Sequence, residues 1–256
     1  MSNLNDMVLR ERRDNVVTLW LNRPTQYNAL SEEMLGSLRD ELNAISSDST
    51  IRCVVLAAKG TAFCAGHDLR EMNDRRGLPF YQELFSLCTE VMTKIQALPV
   101  PVIARVQGVA TAAGCQLVAS CDLSIATYDA RFGVSGINLG LFCSTPAVAL
   151  TRNIALKHAF EMLFTGKFID ANTAVDWGLV NRAVENDGLD SVIEELTSAI
   201  ASKSPQAVRY GKSMIYRQKA MSIEDAYAYA ANVMACNAME SDAIEGIGEF
   251  LEKRPK

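Results

Sequence analysis

Two short turns in this 256-residue chain bring together residue types that could hold a negative charge without using a side chain. The first is Phe63-Cys64-Ala65-Gly66-His67-Asp68-Leu69, which follows the apolar run Cys53–Ala58. Gly66 can take backbone angles closed to larger residues, so this loop can aim an N–H at a ligand. The second runs from Gly108 to Gln116. There the small residues Ala110-Thr111-Ala112-Ala113-Gly114 lead from a strand-like run, Pro101–Val106, into a helix-like one. The first N–H groups of a helix lack intrahelical acceptors and carry partial positive charge, so an N–H from Ala113 or a neighbour suits an anion. Each turn also has a plain reading: Asp68 as a helix N-cap, and small residues that let a helix lie close to a strand. If the N–H groups of the two turns converge, they form an oxyanion hole.

Other reactive residues are weaker candidates. Cys115 and Cys143 lie near the second turn, but buried thiols are usually inert. Asp122 reads as structural, and Glu71 and Glu90 as solvated charges on helix faces. His67 and His158 are the two histidines, and neither stands in a metal-like spacing, so no metal site is expected.

The elements that must carry these turns follow from apolar periodicity. Met7–Arg12 and Val16–Leu21 read as strands joined at Arg13-Asp14-Asn15. Ser31 is an N-cap for a helix with apolar positions Met34, Leu35, Leu38, Leu42 and Ile45. Cys53–Ala58 is apolar throughout, as a strand covered on both faces is. A helix with Leu84, Leu87, Cys88, Val91, Ile95 and Leu98 on one face ends at Pro99 and Pro101, and the strand Val102–Val106 follows. Strand and helix alternate as in an α/β fold with crossover connections. After Thr145 the chain turns helical: Ala155–Phe164, Ala171–Trp177, Leu189–Ser202, Pro205–Gln218 and Ile223–Glu240, with one short strand within Val180–Val184.

Composition bounds the function. Hydrophobic residues make up 49% of the chain, enough for a full core, and the net charge of −5 gives no electrostatic case for nucleic acid. Basic residues are scattered apart from Lys253-Arg254, and no apolar run reaches membrane-spanning length. The N-terminus, MSNLNDMVLRERRD, carries no recognisable targeting signal. Seven cysteines without a CxxC pair fit reduced, mostly buried thiols in the cytoplasm.

Taken in order, the motifs resemble the enoyl-CoA hydratase/isomerase, or crotonase, family over nearly the whole chain. Asn22-Arg23-Pro24 with Asn28-Ala29-Leu30 is similar to that family's early coenzyme A loop, and Ala62–Leu69 to its first oxyanion loop. Pro101–Ala104, Gly114-Cys115-Gln116-Leu117 and Cys121-Asp122 are similar to its signature strand and helix. Phe132-Gly133, Gly140, Leu163–Gly166 followed by Ala174, and Gly178-Leu179-Val180 also match. The resemblance implies an α/β spiral of ββα units over residues 1–195, with a C-terminal helical trimerisation region over 196–256. It implies a homotrimer or dimer of trimers and no cofactor beyond a coenzyme A thioester as substrate or ligand. The thioester carbonyl would sit between the backbone N–H groups of His67 and Ala113. Coenzyme A would lie along Arg23, Ala29, Leu30, Ala65, His67, Asp68, Leu69, Arg70 and Ala113.

The chain departs from the family's pattern at two positions. Gln116 and Gly136 stand where family hydratases carry their glutamates. An amide can orient water but does not take its proton at neutral pH, and glycine offers nothing. The resemblance is closest to a hydratase-domain-containing subset with the same two changes. Weak or absent hydratase activity is expected, with an isomerase, a thioesterase-like enzyme or a non-catalytic acyl-CoA scaffold as alternatives.

Overall fold

Parallel strands buried on both faces need apolar residues at every position, and Cys53–Ala58 supplies six in a row, all buried. In the computed structural model, which describes residues 6–252, this run is β3, at the centre of a six-stranded sheet. The sheet begins with the antiparallel pair β1 (Val8–Arg13) and β2 (Val16–Leu21), joined at Asp14 with φ +51°. It continues in parallel through β3, β4 (Val102–Val106), β6 (Leu123–Thr127) and β9 (Arg182–Val184). A second sheet is made of three very short strands, β5 (Val109–Thr111), β7 (Arg131–Gly133) and β8 (Ile169–Asp170).

The two sheets are filled alternately as the chain advances. β4 enters the first sheet, β5 the second, and α4 (Ala113–Ser120) closes the turn. β6 and β7 repeat the step before α5 (Ser144–Leu150). In the earlier turns the second sheet is reduced to single parallel bridges, Leu30 to His67 and Cys64 to Ala110. The first follows β2 and precedes α1 (Glu32–Ser46), and the second follows β3 and precedes α2 (Leu69–Asp74) and α3 (Leu78–Ala97). This is the expected spiral of ββα units. Helix α1 starts as the sequence predicts, with the Ser31 hydroxyl accepting from the Met34 N–H. Its apolar stripe, Met34, Leu35, Leu38, Leu42 and Ile45, is fully buried.

After α6 (Leu156–Thr165) and α7 (Ala171–Asp176), helix α8 (Leu189–Ala201) packs on the sheet through Leu189 and Ile193. Residue 195, the expected end of the spiral core, lies inside this helix. Helices α9 (Pro205–Gln218), α10 (Ile223–Ala238) and α11 (Ser241–Glu252) follow, and Tyr227, Met234, Ile247 and Phe250 on the last two stay exposed. Helix α9 is tied back by Lys212, a buried cation. Its Nζ donates to Asp122 Oδ2 at 2.6 Å and to the carbonyls of Ile95 and Val100, while the Tyr216 hydroxyl donates to Asp122 Oδ1. Asp122 also accepts the Val102 N–H, so one carboxylate joins the start of β4 to the C-terminal helices and is structural, as expected. Glu71 differs from its expected role as a solvated charge: it accepts the Glu32 N–H and so caps the first turn of α1 from another element.

Among the described residues all seven cysteines are free, six of them buried and Cys236 exposed. No helix among them is long and apolar enough to cross a membrane. Residues 1–5 of the N-terminal stretch read for targeting, and Lys253-Arg254, lie outside the described residues.

Candidate active site

The two turns named by the sequence meet. Cys64 accepts the Thr111 N–H and donates its own N–H to Val109, so the first loop runs alongside β5. Gly66, at φ +89°, lies directly on the second turn. A Cβ there would sit 2.9 Å from Ala112 Cβ and 3.2 Å from the Ala113 nitrogen. Gly114 lies equally close from the other side: its Cβ would fall 2.2 Å from the Cys64 carbonyl oxygen. Three small residues, Gly66, Ala112 and Gly114, thus set the approach of the turns. Ala112 stands at φ +49°, ψ −119°, a conformation that L residues rarely adopt. Such strain costs of the order of 1–3 kcal/mol and persists only where the surroundings enforce it. Here it is enforced by the Ala112 N–H, which donates to the Gly133 carbonyl on β7, and by the Gln116 N–H, which donates back to the Ala112 carbonyl.

The backbone N–H groups of His67 and Ala113 make no hydrogen bond to any other described residue. For Ala113 this follows from its place as the first residue of α4. For His67 it follows from the parallel bridge to Leu30, in which Leu30 donates to Gly66 and Asp68 donates to Leu30, leaving the intervening N–H outside the ladder. Both residues line one cavity of about 260 Å³.

The cavity wall is mostly apolar. Met72 and Phe85 come from α2 and α3, and Leu139, Leu141 and Phe142 from the segment before α5. The polar lining comes from His67, Ser135, Cys143, Ser144 and Thr145, and among the described residues no carboxylate, lysine or arginine faces the cavity. The His67 ring stands edge-on to Phe85, with centroids 5.2 Å apart. Neither ring nitrogen makes a well-formed hydrogen bond among the described residues; burial pushes the pKa down to about 4, against a smaller opposing effect of the Leu30 backbone. The Cys143 thiol is raised by burial, against a smaller opposing effect of the Gly136 N–H, and is a poor nucleophile at neutral pH.

His67 therefore makes stability depend on pH. The unfolded chain binds a proton near the ordinary value of 6.5, and the folded chain resists it down to about 4. The stabilising contribution is complete above pH 6.5 and is lost as pH falls through the folded value. At about 1.4 kcal/mol per unit it amounts to about 3 kcal/mol. Urea unfolding at pH 7 and pH 4 is expected to show that loss in the native protein beyond what His67→Phe shows. Equal losses in the two proteins would remove His67 as the cause.

Of the residues predicted for the site, Ala65, His67, Leu69, Ala113 and Gly136 line the cavity. Arg23, Ala29, Leu30 and Asp68 form its outer support. Arg23 pairs with Asp68 at 3.1 Å and donates to the Ala29 carbonyl, and Asp68 caps α2 through the N–H groups of Arg70 and Glu71. Arg70 is exposed on the first turn of α2. Gln116 is buried one turn into α4, outside the cavity lining, with its Oε1 lacking a hydrogen-bond partner among the described residues. Gly136 is more than a missing side chain. A Cβ would lie 2.5 Å from the Leu141 carbonyl oxygen and 2.8 Å from Cys143 Sγ, so the loop closes over the space a side chain would need. The sequence reading missed Phe85, Met72 and the 139–146 wall. Phe85 follows Leu84 of the apolar stripe that was read and turns toward the cavity from the edge of that face.

Comparison with known proteins gives the site a context. The sequence model described as enoyl-CoA hydratase/isomerase matches residues 11–256. The chain is 56% identical to an enoyl-CoA hydratase of Mycobacterium smegmatis of known structure, covering 98% of both chains with a TM-score of 0.95. It is 39% identical to the human enoyl Coenzyme A hydratase domain-containing protein 3 structure, covering 97% of this chain and 98% of that one with a TM-score of 0.94. It is 42% identical to the Xenopus laevis enoyl-CoA hydratase domain-containing protein 3, mitochondrial, over 97% of this chain and 84% of that protein.

Proposed function

The chain belongs to the enoyl-CoA hydratase/isomerase family, and on that premise we propose that its cavity binds an acyl-CoA thioester with the carbonyl oxygen between the N–H groups of His67 and Ala113. The observation that carries this reading is the pair of unsatisfied N–H groups on two interlocked turns, both at one apolar cavity. Removing a comparable oxyanion donor costs on the order of 10²–10³-fold in rate. Leu69 and Arg70, exposed at the start of α2, lie where the coenzyme A moiety would leave the cavity. Arg23 contributes through the loop it braces, because its guanidinium is taken up by Asp68 and the Ala29 carbonyl.

The same reading holds that hydration of an enoyl thioester is weak or absent. Hydration needs a group to take a proton from water and a group to protonate the α-carbon, typically worth about 10²–10⁴-fold each. No carboxylate lines the cavity among the described residues, Gln116 is not in its wall, and the His67 imidazole is a single group where hydration needs two. Crotonyl-CoA is expected to bind in calorimetry and to be hydrated at less than about 1 per second, the low end of ordinary turnover. A rate within the ordinary range overturns the second part, and failure of any acyl-CoA to bind overturns the first. Gly136→Glu is expected to displace the 136–143 loop and leave hydration unimproved, because no space exists for its Cβ.

A further inference from the structure

His67 has a second group at the cavity besides its N–H. Its imidazole is buried in an apolar wall with neither nitrogen in a well-formed hydrogen bond among the described residues. A buried polar group without a partner costs about 1–3 kcal/mol and calls for an explanation. One such atom could be accidental. Here the Leu30 backbone is the one group that bears on the ring's N–H, which leaves the lone pair of the other nitrogen unused, on the residue whose backbone faces the same cavity.

The ring is held in place by its edge-on contact with Phe85. A half-turn about χ2 exchanges its nitrogens for ring carbons without moving the ring, so either edge can be presented to a ligand. Among the described residues no other side chain of the cavity wall offers a basic lone pair at neutral pH: the remaining polar lining is hydroxyl groups and the raised thiol of Cys143. The neighbouring acids are engaged elsewhere, Asp68 with Arg23 and the start of α2, and Glu71 with the Glu32 N–H.

We propose that the imidazole of His67 is the proton-carrying group of this cavity, acting on the α-carbon of a bound acyl thioester. The proposal rests on the thioester placement given above. A nitrogen lone pair takes the proton from C2, and the C2–H electron pair becomes the C1–C2 double bond. The carbonyl π pair moves onto oxygen, where the N–H groups of His67 and Ala113 hold it. Return of a proton to C2 completes exchange, and return to C4 of a 3-enoyl thioester moves the double bond into conjugation. Neither outcome needs a co-reactant. Burial suits the ring to this work: its pKa of about 4 keeps it unprotonated at neutral pH, with the basicity of an ordinary carboxylate at about 4.3.

The test uses but-3-enoyl-CoA in deuterated buffer, followed by NMR for deuterium at C2 and for conversion to but-2-enoyl-CoA, with affinity measured separately by calorimetry. The native protein is expected to do both. His67→Phe, which keeps the backbone N–H, and His67→Gln, which keeps hydrogen bonding without a base, are each expected to lose at least about 100-fold in rate with affinity within threefold. Variants that retain exchange within fivefold, or a native protein that binds the thioester without exchange, overturn the proposal. A native protein that does not bind the thioester overturns the placement on which it rests.

Discussion

Gly114→Ala is expected to destabilise the protein by at least about 3 kcal/mol and to disable the site. The added Cβ would lie 2.2 Å from the Cys64 carbonyl oxygen, whereas ordinary contact begins at 3.4 Å, so the two turns must part by about 1 Å. The obstacle is backbone and cannot rotate away. That carbonyl also accepts the Thr111 N–H, so the bond holding the first loop to β5 is stretched at the same time. A 1 Å displacement of a reacting group costs on the order of 100-fold, so acyl-thioester turnover should fall by that much in whatever fraction of the protein still folds. Gly36→Ala is the contrasting case: Gly36 lies within α1 with nothing within 4 Å of its would-be Cβ, and alanine is expected to stabilise by about 0.5–1 kcal/mol. Urea unfolding of both variants checks the pair, and equal stability would show that the turns are not in rigid contact.

Lys212→Met is expected to cost about 3–5 kcal/mol, since removing one partner of a buried pair strands the other charge. The cation forms no surface bridge. Burial pushes its pKa down, Asp122 partly restores it, and two backbone carbonyls take its remaining protons. Without it Asp122 keeps only the Val102 N–H and the Tyr216 hydroxyl. Adding Asp122→Asn to Lys212→Met should recover part of the loss, because the amide oxygen can still accept from Val102 while no charge is left unpaired. If the double variant is as unstable as the single one, the loss comes from packing of the lysine stem and not from charge.

Several elements could be read from sequence because one physical signal dominated each. The runs Val16–Leu21, Cys53–Ala58 and Val102–Val106 are the strands β2, β3 and β4 residue for residue: β3 is apolar at every position because both its faces are covered, while β2 alternates buried with half-buried positions and β4 leaves only Arg105 half-buried. Ser31 gave the start of α1 by the chemistry of capping. The second sheet was not legible: strands of three, three and two residues are too short to show alternation, and pairs such as Cys64 with Ala110 form only after the spiral has closed. Helix α11 was overlooked although Ile244, Ile247 and Leu251 carry helical spacing, because those residues remain exposed and so define no core face.

The site divides the same way. The two turns were visible as small residues at element junctions, and their convergence is the geometry such residues permit. By resemblance only the backbone of His67 has a role, so nothing in the sequence points to its imidazole. Its unpaired nitrogens are a fact of packing against Phe85 that no spacing reveals. Gly136 was read as an absent acid, whereas the Leu141 carbonyl and Cys143 thiol make it a filled position.

The Asp122–Lys212 contact also imposes an order in time. Its two ends are 90 positions apart in the chain. At roughly 5–20 residues per second, synthesis delivers the lysine about 5–18 s after the aspartate. Until then the carboxylate at the head of β4 has no cation and must stay hydrated, so the adjoining seam of the growing sheet stays wet. The ribosome's pace, and whatever shields the emerging chain during those seconds, therefore act on this contact before any thioester can.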